Sequence, residues 1–378
     1  MKENLIVLFG GVSVEHDISI ISGLQAINNI DKNFYNVIPV YLAKNYKWYI
    51  SKSDELTNLQ FFVEPDFNRL KEVCLVSGSN YLHIKQFGKF KPKIKVDFAL
   101  PVLHGVNGED GKIASLLSLC NIPYGVSGLT ASSVAIDKSV FKTYLNGLSV
   151  KNILGETVFD YEYSINPNLV ISRLEKLGYP LIVKPSTLGS SIGVKVCNNL
   201  IELTNAISLG FELCGSILVE KFLTDITEIN VAVLFDGGKL IVSELEKPSK
   251  NGNILSFENK YINKTGTMEG VTREIPAALD DEIKNEIIKT AKLVYKNLNL
   301  KGVVRFDFIL SNNEIYLNEV NSIPGSLAFY LFKPLGISYE NLLNLIIKNG
   351  YENFKTESNK TYFFNSSVLS KGGEGLKK

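Results

Sequence analysis

The chain has 378 residues, of which 45% are hydrophobic and 21% are charged, and its 40 Lys and Arg nearly balance its 39 Asp and Glu. This length predicts two or three domains, and the apolar fraction excludes a mainly disordered chain. The formal net charge of +1 gives the surface no overall attraction for nucleic acid or for a membrane, so neither is expected as a partner.

The chain begins with a pattern typical of an α/β unit. The apolar residues 5–9 predict a buried strand, which Gly10 and Gly11 close. A helix is expected to follow, starting at Ser19 or Ser22. The apolar run is too short for the core of a signal peptide, and no stretch approaches the length of a membrane-spanning helix. A soluble, cytoplasmic protein is therefore expected.

Two further strands are predicted in the N-terminal part. Residues 35–41 follow at the distance of a parallel crossover, and residues 97–103 form another buried strand that ends at His104. Residues 47–95 are polar and carry no readable pattern. Because ligands bind at the carboxyl ends of strands in open α/β sheets, the glycine-rich loop at 104–111 is a candidate binding segment. The alternative is that this loop only positions a helix.

The pattern changes from about residue 130, where short strands alternate with helices. The predicted elements are a helix that carries Lys138 and Lys142, strands at 179–184 and 217–221, a long loop at about 248–274 and a helix at 281–299. One face of the last helix is apolar and is expected to be buried; it consists of Ile283, Ile287, Ala291, Val294 and Leu298.

The strongest local signal is a predicted hairpin in the last third of the chain. With its turn centred on Asn313, the register pairs Asp307 with Glu319 and Arg305 with Asn321. Two carboxylates directly opposite each other repel unless a cation lies between them, and carboxylate and amide oxygens suit Mg²⁺ or Mn²⁺ rather than zinc. The alternative is a solvated sheet face, and a slip of one residue would separate the pair. Four residues of the second strand are expected to share one face, namely Ile315, Leu317, Glu319 and Asn321.

Two other loops could bind a ligand. A Gly/Ser-rich loop follows Lys184, and its backbone N–H and hydroxyl groups could bind phosphate oxygens beside the lysine charge. It is not a Walker A loop, because the lysine precedes the glycines; alone, it could be an ordinary polar hairpin turn. The segment GGVSVEH at 10–16 places Glu15 and His16 just before a helix, where helix capping is the alternative role.

Together and in this order, the motifs are specific. The chain resembles the D-alanine–D-alanine ligase family of the ATP-grasp superfamily through the segments GGVSVEHDIS, HGVNGEDG, IPYGVSGLTASSVAIDK, VKPSTLGSSIGV, VEKFL, RFDF and LNEVNSIPG, which extend from residue 10 to residue 325. The resemblance implies an α/β fold that is α+β in the ATP-grasp part. The implied domains are an N-terminal substrate-binding domain with an open parallel sheet at 1–128, two ATP-clamping domains at 129–218 and 219–365, and a mobile tail at 366–378.

The resemblance also implies an activity. Family members join two D-alanines at the expense of ATP, through a D-alanyl phosphate, for the synthesis of peptidoglycan precursors. By this resemblance, Glu15 holds the ammonium group of the first D-alanine, and Arg305 and the backbone of Gly325 stabilise the oxyanion. Ser190 and Tyr261 link a closing lid, formed by the loop at 248–274, to the first substrate site.

The other implied roles concern ATP and two Mg²⁺ or Mn²⁺ ions. The residues implied for the phosphates are Lys138, Lys184, Ser191 and Lys260. Those implied for the adenine hinge are Glu220, Lys221 and Leu223, with Glu228 for the ribose. The implied metal ligands are Asp307, Glu319 and Asn321, the set that the hairpin register brings together.

The chain departs from the family pattern after Gly325. The serine that binds the carboxylate of the second substrate in common members is replaced by an aromatic stretch around Phe329 and Tyr330. Tyr330 or Lys333 could bind the carboxylate instead, or the stretch could be core packing. The second substrate is therefore D-alanine or another amino acid such as D-serine, while Tyr261 favours amine acceptors over D-lactate.

Two further expectations follow from the resemblance. A homodimer is implied, because homodimers are usual in the family. A nucleotide-binding regulator without catalysis is the alternative from another class, and the intact set of metal ligands and lysines argues against it.

Overall fold

The structure is a computed structural model that describes residues 2–248 and 273–362. The N-terminal part forms a seven-stranded sheet. Its strands are β1 (Glu3–Gly10), β2 (Tyr35–Leu42), β3 (Trp48–Ile50), β4 (Lys71–Val76), β5 (Ser79–Gln86), β6 (Lys89–Lys95) and β7 (Phe98–Val102). The helices of this part are α1 (His16–Asn29) and α2 (Lys112–Leu119), with short 3₁₀ helices at Asp54–Thr57, Leu59–Phe62 and Phe67–Arg69.

The predicted parallel strands form one side of this sheet. The order is β6-β5-β4-β3-β2-β1-β7, and β1 pairs in parallel with both β2 and β7. The segment without a readable pattern adds the four strands β3 to β6, all antiparallel to their neighbours. The open parallel sheet is therefore confirmed for three strands and extended by an antiparallel ribbon that the sequence did not predict.

The helix after β1 begins earlier than predicted. It starts at His16, so Ser19 and Ser22 lie inside the helix and not at its N-terminus. Both serines are buried, and their hydroxyl groups bond to other segments. Ser19 donates to the carbonyl oxygen of Val102 over 2.5 Å, and Ser22 bonds to the ring of His104 over 2.8 Å. The prediction of a serine cap was wrong because these side chains make tertiary hydrogen bonds.

The middle part of the chain forms an antiparallel sheet of four strands in the order β10-β9-β11-β8. These strands are β8 (Gly155–Phe159), β9 (Leu181–Pro185), β10 (Lys195–Cys197) and β11 (Ser216–Lys221). The helices are α3 (Leu129–Ile136), α4 (Lys138–Gly147), α5 (Asp160–Ile165), α6 (Pro167–Glu175) and α7 (Leu200–Leu213). The predicted strands at 179–184 and 217–221 and the helix that carries two lysines are confirmed within two residues.

A third sheet has the strand order β13-β12-β16-β17, all antiparallel. Its strands are β12 (Thr227–Asp236), β13 (Lys239–Val242), β16 (Val304–Ser311) and β17 (Glu314–Asn321). Beside it, β14 (Lys247–Pro248) pairs with β15 (Arg273–Glu274), and two helices follow, α8 (Asp281–Asn297) and α9 (Tyr339–Ser358). The expected apolar face of α8 is buried at Ile287, Ala291 and Val294, and its side chains join the core of this sheet.

The hairpin of β16 and β17 has the predicted register at the end away from its turn, where Asp307 pairs with Glu319 and Arg305 pairs with Asn321. The turn is shorter than predicted and consists of Asn312 and the residue after it, both at positive φ, as a two-residue hairpin turn requires.

A bulge at Asn318 compensates for the short turn, since Asp307 pairs with Glu319 but Phe308 pairs with Leu317. The bulge also changes which side chains share a face. Leu317 is buried in the same core cluster as Phe308, and it does not share the face of Glu319. The expectation that Ile315 and Leu317 share the face of Glu319 and Asn321 was therefore wrong, because Ile315 also packs against this core.

The first and third sheets share a hydrophobic core. Phe98 and Leu100 of β7 belong to the same buried cluster as Ile346 and Ile347 of α9. A short 3₁₀ segment, Gly325–Leu331, also packs against α1. This packing positions the loop after β17 beside the ends of β1 and β7. No helix among the described residues is both long and apolar enough to cross a lipid bilayer.

Candidate active site

A cavity of about 310 Å³ lies where the three sheets meet. Nearly all of the predicted site residues that the structure describes line it. They are Glu15, Lys138, Lys184, Ser190, Ser191, Glu220, Lys221, Leu223, Glu228, Arg305, Asp307, Glu319 and Asn321. Gly325 is not among the lining residues, although Ser322 and Tyr330 on either side of it are. Lys260 and Tyr261 lie outside the described residues.

The Gly/Ser-rich loop closes over Glu15. Ser190 donates a hydrogen bond to Glu15 Oε1, and a Cβ atom at Gly189 would lie 3.1 Å from Glu15 Oε2. Lys138 Nζ donates to the carbonyl oxygen of Leu188 over 2.5 Å, which ties the loop to the start of α4. Glu15, the residue predicted to bind the first substrate, is thus in direct contact with the loop predicted to bind phosphate. Neither motif alone could predict this contact.

A buried ion-pair triad lines the wall formed by the middle sheet. Glu220 is 4% exposed; its Oε1 pairs with Lys142, and its Oε2 accepts from Lys184 Nζ over 2.6 Å. Lys184 also donates to Asn318 Oδ1 over 3.2 Å, so the bulge of the hairpin contacts the middle sheet. The sequence placed Lys142 on the helix but did not predict its role as the second partner of Glu220.

The triad alters the acid–base properties of Glu220 and Lys142. Burial alone would raise the pKa of Glu220, but the charges of Lys184 and Lys142 outweigh it and hold the pKa below its ordinary value. Burial lowers the pKa of Lys142, although the charge of Glu220 opposes this effect. The three groups form one charged unit, with a net charge of +1 when all are ionised, next to the cavity.

The hairpin places the predicted metal ligands on the cavity wall. Arg305 donates to both oxygens of Asp307, from Nε over 2.6 Å and from the terminal NH2 group over 2.7 Å. Asn321 Nδ2 donates to Asp307 Oδ2 over 2.9 Å, and Glu319 lies directly opposite Asp307. The guanidinium group supplies positive charge beside the carboxylate pair. Arg305, predicted for the oxyanion, is therefore also a partner of a predicted metal ligand.

The donor set fits a hard divalent cation. Two carboxylates and an amide offer only oxygen ligands on this wall. Among residues 2–248 and 273–362, no three His, Cys, Asp or Glu side chains form a metal cluster on their own. Asp307 and Glu319 would therefore hold Mg²⁺ together with oxygens from elsewhere, and phosphate oxygens are ligands of that kind.

His104 connects the N-terminal sheet to the loop after β17. One ring nitrogen, Nδ1, lies 2.8 Å from the carbonyl oxygen of Ile323, which can only accept, so Nδ1 carries the hydrogen. The other, Nε2, accepts from the hydroxyl of Ser22, which in turn accepts the backbone N–H of Ser326. Burial lowers the pKa of His104, more than the charge of Glu15 raises it, which favours this neutral form. The network fixes the backbone on both sides of Gly325.

Glu109 is a site residue that no pattern in the sequence distinguishes from the rest of its loop. Its two oxygens accept the backbone N–H groups of Gly105 and Ile323, each over 2.9 Å. Burial, and after it the negative charge of Glu15, raise the pKa of Glu109 to about 8. The only sequence feature that could have identified Glu109 is its position in a glycine-rich loop at the end of a strand. His16, by contrast, bonds to Gly11 and Tyr41 and does not line the cavity.

A second cluster in the cavity was not predicted from sequence. Glu246 is 1% exposed; its Oε1 accepts from Arg273 over 2.9 Å, and its Oε2 accepts from Tyr330 Oη over 3.2 Å and from Asn230 Nδ2 over 3.1 Å. Of the two residues proposed for the second carboxylate, Tyr330 lines the cavity, whereas Lys333 is exposed outside it with its Nζ 5.0 Å from the ring centroid of Phe329. No sequence motif marks Arg273 or Glu246.

Comparison with known proteins assigns the family. Residues 4–127 match the family model described as D-ala D-ala ligase N-terminus, and residues 150–348 match the D-ala D-ala ligase C-terminus. A D-alanine–D-alanine ligase from Thermosipho africanus is 37% identical over 375 residues, which cover 97% of this chain and 98% of the relative.

Solved structures agree with the family models. The D-alanine–D-alanine ligase of Helicobacter pylori has a TM-score of 0.73 at 29% identity and covers 91% of this chain and 98% of its own. The VanG D-Ala:D-Ser ligase of Enterococcus faecalis has a TM-score of 0.77 at 27% identity, with 93% and 100% covered. The chain belongs to the D-alanine–D-alanine ligase family and has the three-part ATP-grasp architecture that its motifs predict.

Proposed function

We propose that the protein joins two D-alanines to D-alanyl-D-alanine at the expense of ATP, for the synthesis of peptidoglycan precursors. The observation that carries the proposal is the convergence of Glu15, Lys184, Arg305 and Asp307 on one cavity between the three sheets. Family membership supports the same reaction. A carboxylate is a poor electrophile, so its activation as an acyl phosphate is the step that ATP makes possible.

The first step needs positive charge around the transferred phosphoryl group. Lys184 and Lys138 supply it from the middle sheet and from the start of α4, and Ser191 lies in the loop that follows Lys184. The partnership of Glu220 with Lys184 keeps the ammonium group of Lys184 at the cavity wall. We assign Glu220, Lys221 and Leu223 to the adenine side and Glu228 to the ribose.

Asp307, Glu319 and Asn321 would hold two Mg²⁺ or Mn²⁺ ions. When bound, such ions neutralise charge on the β- and γ-phosphates. Arg305 remains beside Asp307 and orients that carboxylate.

The first D-alanine would bind with its ammonium group at Glu15. Ser190 orients this carboxylate through its hydrogen bond and brings the loop down over the site. A loop in that position excludes water, which would otherwise hydrolyse the acyl phosphate. In the proposal Lys260 and Tyr261 complete the closure.

The second step is attack by the amine of the second substrate on the acyl phosphate, which expels phosphate. The tetrahedral intermediate carries an oxyanion, and preorganised N–H donors stabilise such a charge. Arg305 and the backbone at Gly325 are the proposed donors. The network of His104, Ser22 and Ser326 holds that backbone rigidly.

A D-Ala–D-Ser ligase is the second candidate. Two observations favour it, the likeness to the VanG D-Ala:D-Ser ligase and the aromatic stretch at Phe329 and Tyr330. A phosphate-release assay over a panel of D-amino and D-hydroxy acids, with products identified by mass, tests both functions. We expect D-alanyl-D-alanine as the main product and no depsipeptide from D-lactate. A main product that contains D-serine would favour the second candidate, and phosphate release without ligation would contradict both.

We also propose a cytoplasmic homodimer, in line with the family. Each chain would have three domains, at 1–128, 129–218 and 219–365, followed by a tail at 366–378. Sedimentation equilibrium of the purified chain tests the dimer. A single species of monomer mass at micromolar concentration would contradict it.

A further inference from the structure

Arg273 places a fixed guanidinium group on the cavity wall. Its carbon Cζ lies 4.4 Å from the centroid of the Tyr330 ring, and Glu246 holds one terminal nitrogen over 2.9 Å. The side chain of Arg273 is 34% exposed, whereas that of Glu246 is 1% exposed. Stacking and pairing together fix the plane of the guanidinium group, so little side-chain freedom remains to be lost on binding.

The position of this cluster follows from the strand register. Glu246 bridges to Asn230, which pairs with Asp307, which pairs with Glu319. These four residues form one row across the sheet. Because neighbouring strands lie about 4.8 Å apart, Glu246 lies roughly 10 Å from Asp307. Tyr330 Oη donates to Glu246 Oε2 over 3.2 Å, and Tyr330 lines the same cavity as Asp307.

The backbone brings Tyr330 to this position in an unusual way. After Gly325, three successive residues with side chains, Ser326, Leu327 and Ala328, have positive φ angles near 50°. This conformation is rarely adopted by residues other than glycine. Ser22 accepts the backbone N–H of Ser326, and the side chains of Leu327 and Ala328 are buried. The turn is therefore held by packing, and Tyr330, which follows it, reaches the cavity.

We propose that Arg273 and Tyr330 bind the carboxylate of the second amino acid, the acceptor. This inference rests on the proposed function. The guanidinium group carries five N–H donors, so it can bind a second carboxylate beside Glu246. Arg273 and Tyr330 both line the cavity and share Glu246 as their hydrogen-bond partner. Lys333, the other cation of the segment, lies outside the cavity.

The test compares two acceptors, D-alanine and D-alaninamide, each with D-alanine as donor. D-Alaninamide lacks the carboxylate that is activated, so it can enter only as acceptor. We expect the wild type to prefer D-alanine by at least about tenfold in kcat/KM, because hydrogen bonds to a charged group contribute roughly 1.5–3 kcal/mol. Arg273→Gln should lose most of this preference, through a higher acceptor KM, while the KM for ATP stays within about twofold.

Three further variants make the test specific. Tyr330→Phe keeps the ring under the guanidinium group and should reduce the preference less than Arg273→Gln does. Arg273→Lys keeps the charge but loses the planar fork, and an intermediate preference is expected. Lys333→Ala removes the exposed cation of the same segment and should match the wild type. Thermal unfolding shows whether each variant is folded. If Arg273→Gln does not fold, the acceptor preferences of Arg273→Lys and Tyr330→Phe test the proposal instead.

The outcomes separate the two proposals. An active wild type together with an Arg273→Gln variant that keeps the preference for D-alanine overturns the assignment of the acceptor carboxylate alone. If Arg273→Gln loses the same fraction of activity with both acceptors, the assignment is also overturned, because such a loss indicates a purely structural role for Arg273. A wild type that forms no product from D-alanine and ATP overturns the proposed function and this assignment with it.

Discussion

Asp307 lies directly opposite Glu319 across the hairpin of β16 and β17, and both carboxylates line the cavity between the three sheets. Opposed carboxylates destabilise a strand pair unless positive charge compensates them. Arg305 provides part of this charge by donating to both oxygens of Asp307. The opposed carboxylates therefore lower the stability of the hairpin, and they form a site that can hold a cation.

Replacing Glu319 by Gln should therefore weaken the binding of Mg²⁺ without lowering the stability of the fold. The variant should need at least about tenfold more Mg²⁺ for half-maximal activity, because a charged ligand is lost. In metal-free buffer its free energy of unfolding should be equal to that of the wild type or higher by up to about 1 kcal/mol, since the repulsion is relieved. Activity against Mg²⁺ concentration and urea unfolding in EDTA measure the two effects. Glu314→Gln, at the exposed start of the same strand, is the control and should leave the Mg²⁺ requirement unchanged.

Substitution of Glu220, which pairs with both Lys142 and Lys184, should cause a large loss of stability. Glu220→Gln leaves two buried lysines without their carboxylate, and breaking a buried pair costs about 3–5 kcal/mol. The pKa of Glu220 lies below its ordinary value in the folded state. Its contribution is thus present above the ordinary value of 4.5 and is lost as the pH falls through the depressed pKa.

Urea unfolding of the wild type and Glu220→Gln at several pH values checks this prediction. The difference in unfolding free energy should be full at pH 7 and should shrink as the pH falls below about 4.5. An unchanged difference down to pH 3 would show that the ion pairs of Glu220 are not its source.

Glu109 predicts the opposite pH dependence. Its pKa is raised to about 8 in the folded state, so the unfolded chain releases the proton first as the pH rises above 4.5. The folded state is then penalised progressively until the pH passes about 8. Glu109→Gln cannot ionise, so the stability of the wild type relative to this variant should fall over that range, by on the order of 5 kcal/mol. Unfolding curves from pH 4.5 to 8.5 measure it, and a relative stability that rises over this range would refute the assignment.

The hydrogen bond from Ser190 to Glu15 predicts a defect in coupling. Ser190→Ala should loosen the loop over the first substrate, admit water, and raise the amount of ADP formed per dipeptide. Turnover to dipeptide should fall by about 10- to 100-fold, the range for loss of a hydrogen bond to a charged group. Parallel assays of ADP and dipeptide give the ratio. Ser208→Ala, on the exposed face of α7, should keep the ratio of the wild type.

Much of the site could be predicted because its residues lie in short motifs at strand ends. The pairing of Asp307 with Glu319 follows from alternation and turn position, although the short turn and the bulge at Asn318 compensate each other in a way that no local signal revealed. The displacement of Leu317 to the core is the consequence that the simple register missed.

The unpredicted parts depend on contacts between distant segments. Strands β3 to β6 lack an apolar pattern because they extend the sheet away from its parallel centre, and β6 is exposed at nearly every residue. Ser19 and Ser22 resemble helix caps, but they bond to segments more than 80 residues away. Arg273 and Glu246 have no motif, and only the fold brings them to Tyr330.

The central claim is that the carboxylate of the first D-alanine is activated by phosphorylation at this cavity. D-Alanine labelled with ¹⁸O in its carboxylate, incubated with the protein, ATP and Mg²⁺, tests it most directly. Acyl phosphate formation transfers one carboxylate oxygen to the phosphate that is released, so mass spectrometry should find one ¹⁸O in each phosphate formed with a dipeptide. Dipeptide accompanied by phosphate without the label would contradict the account.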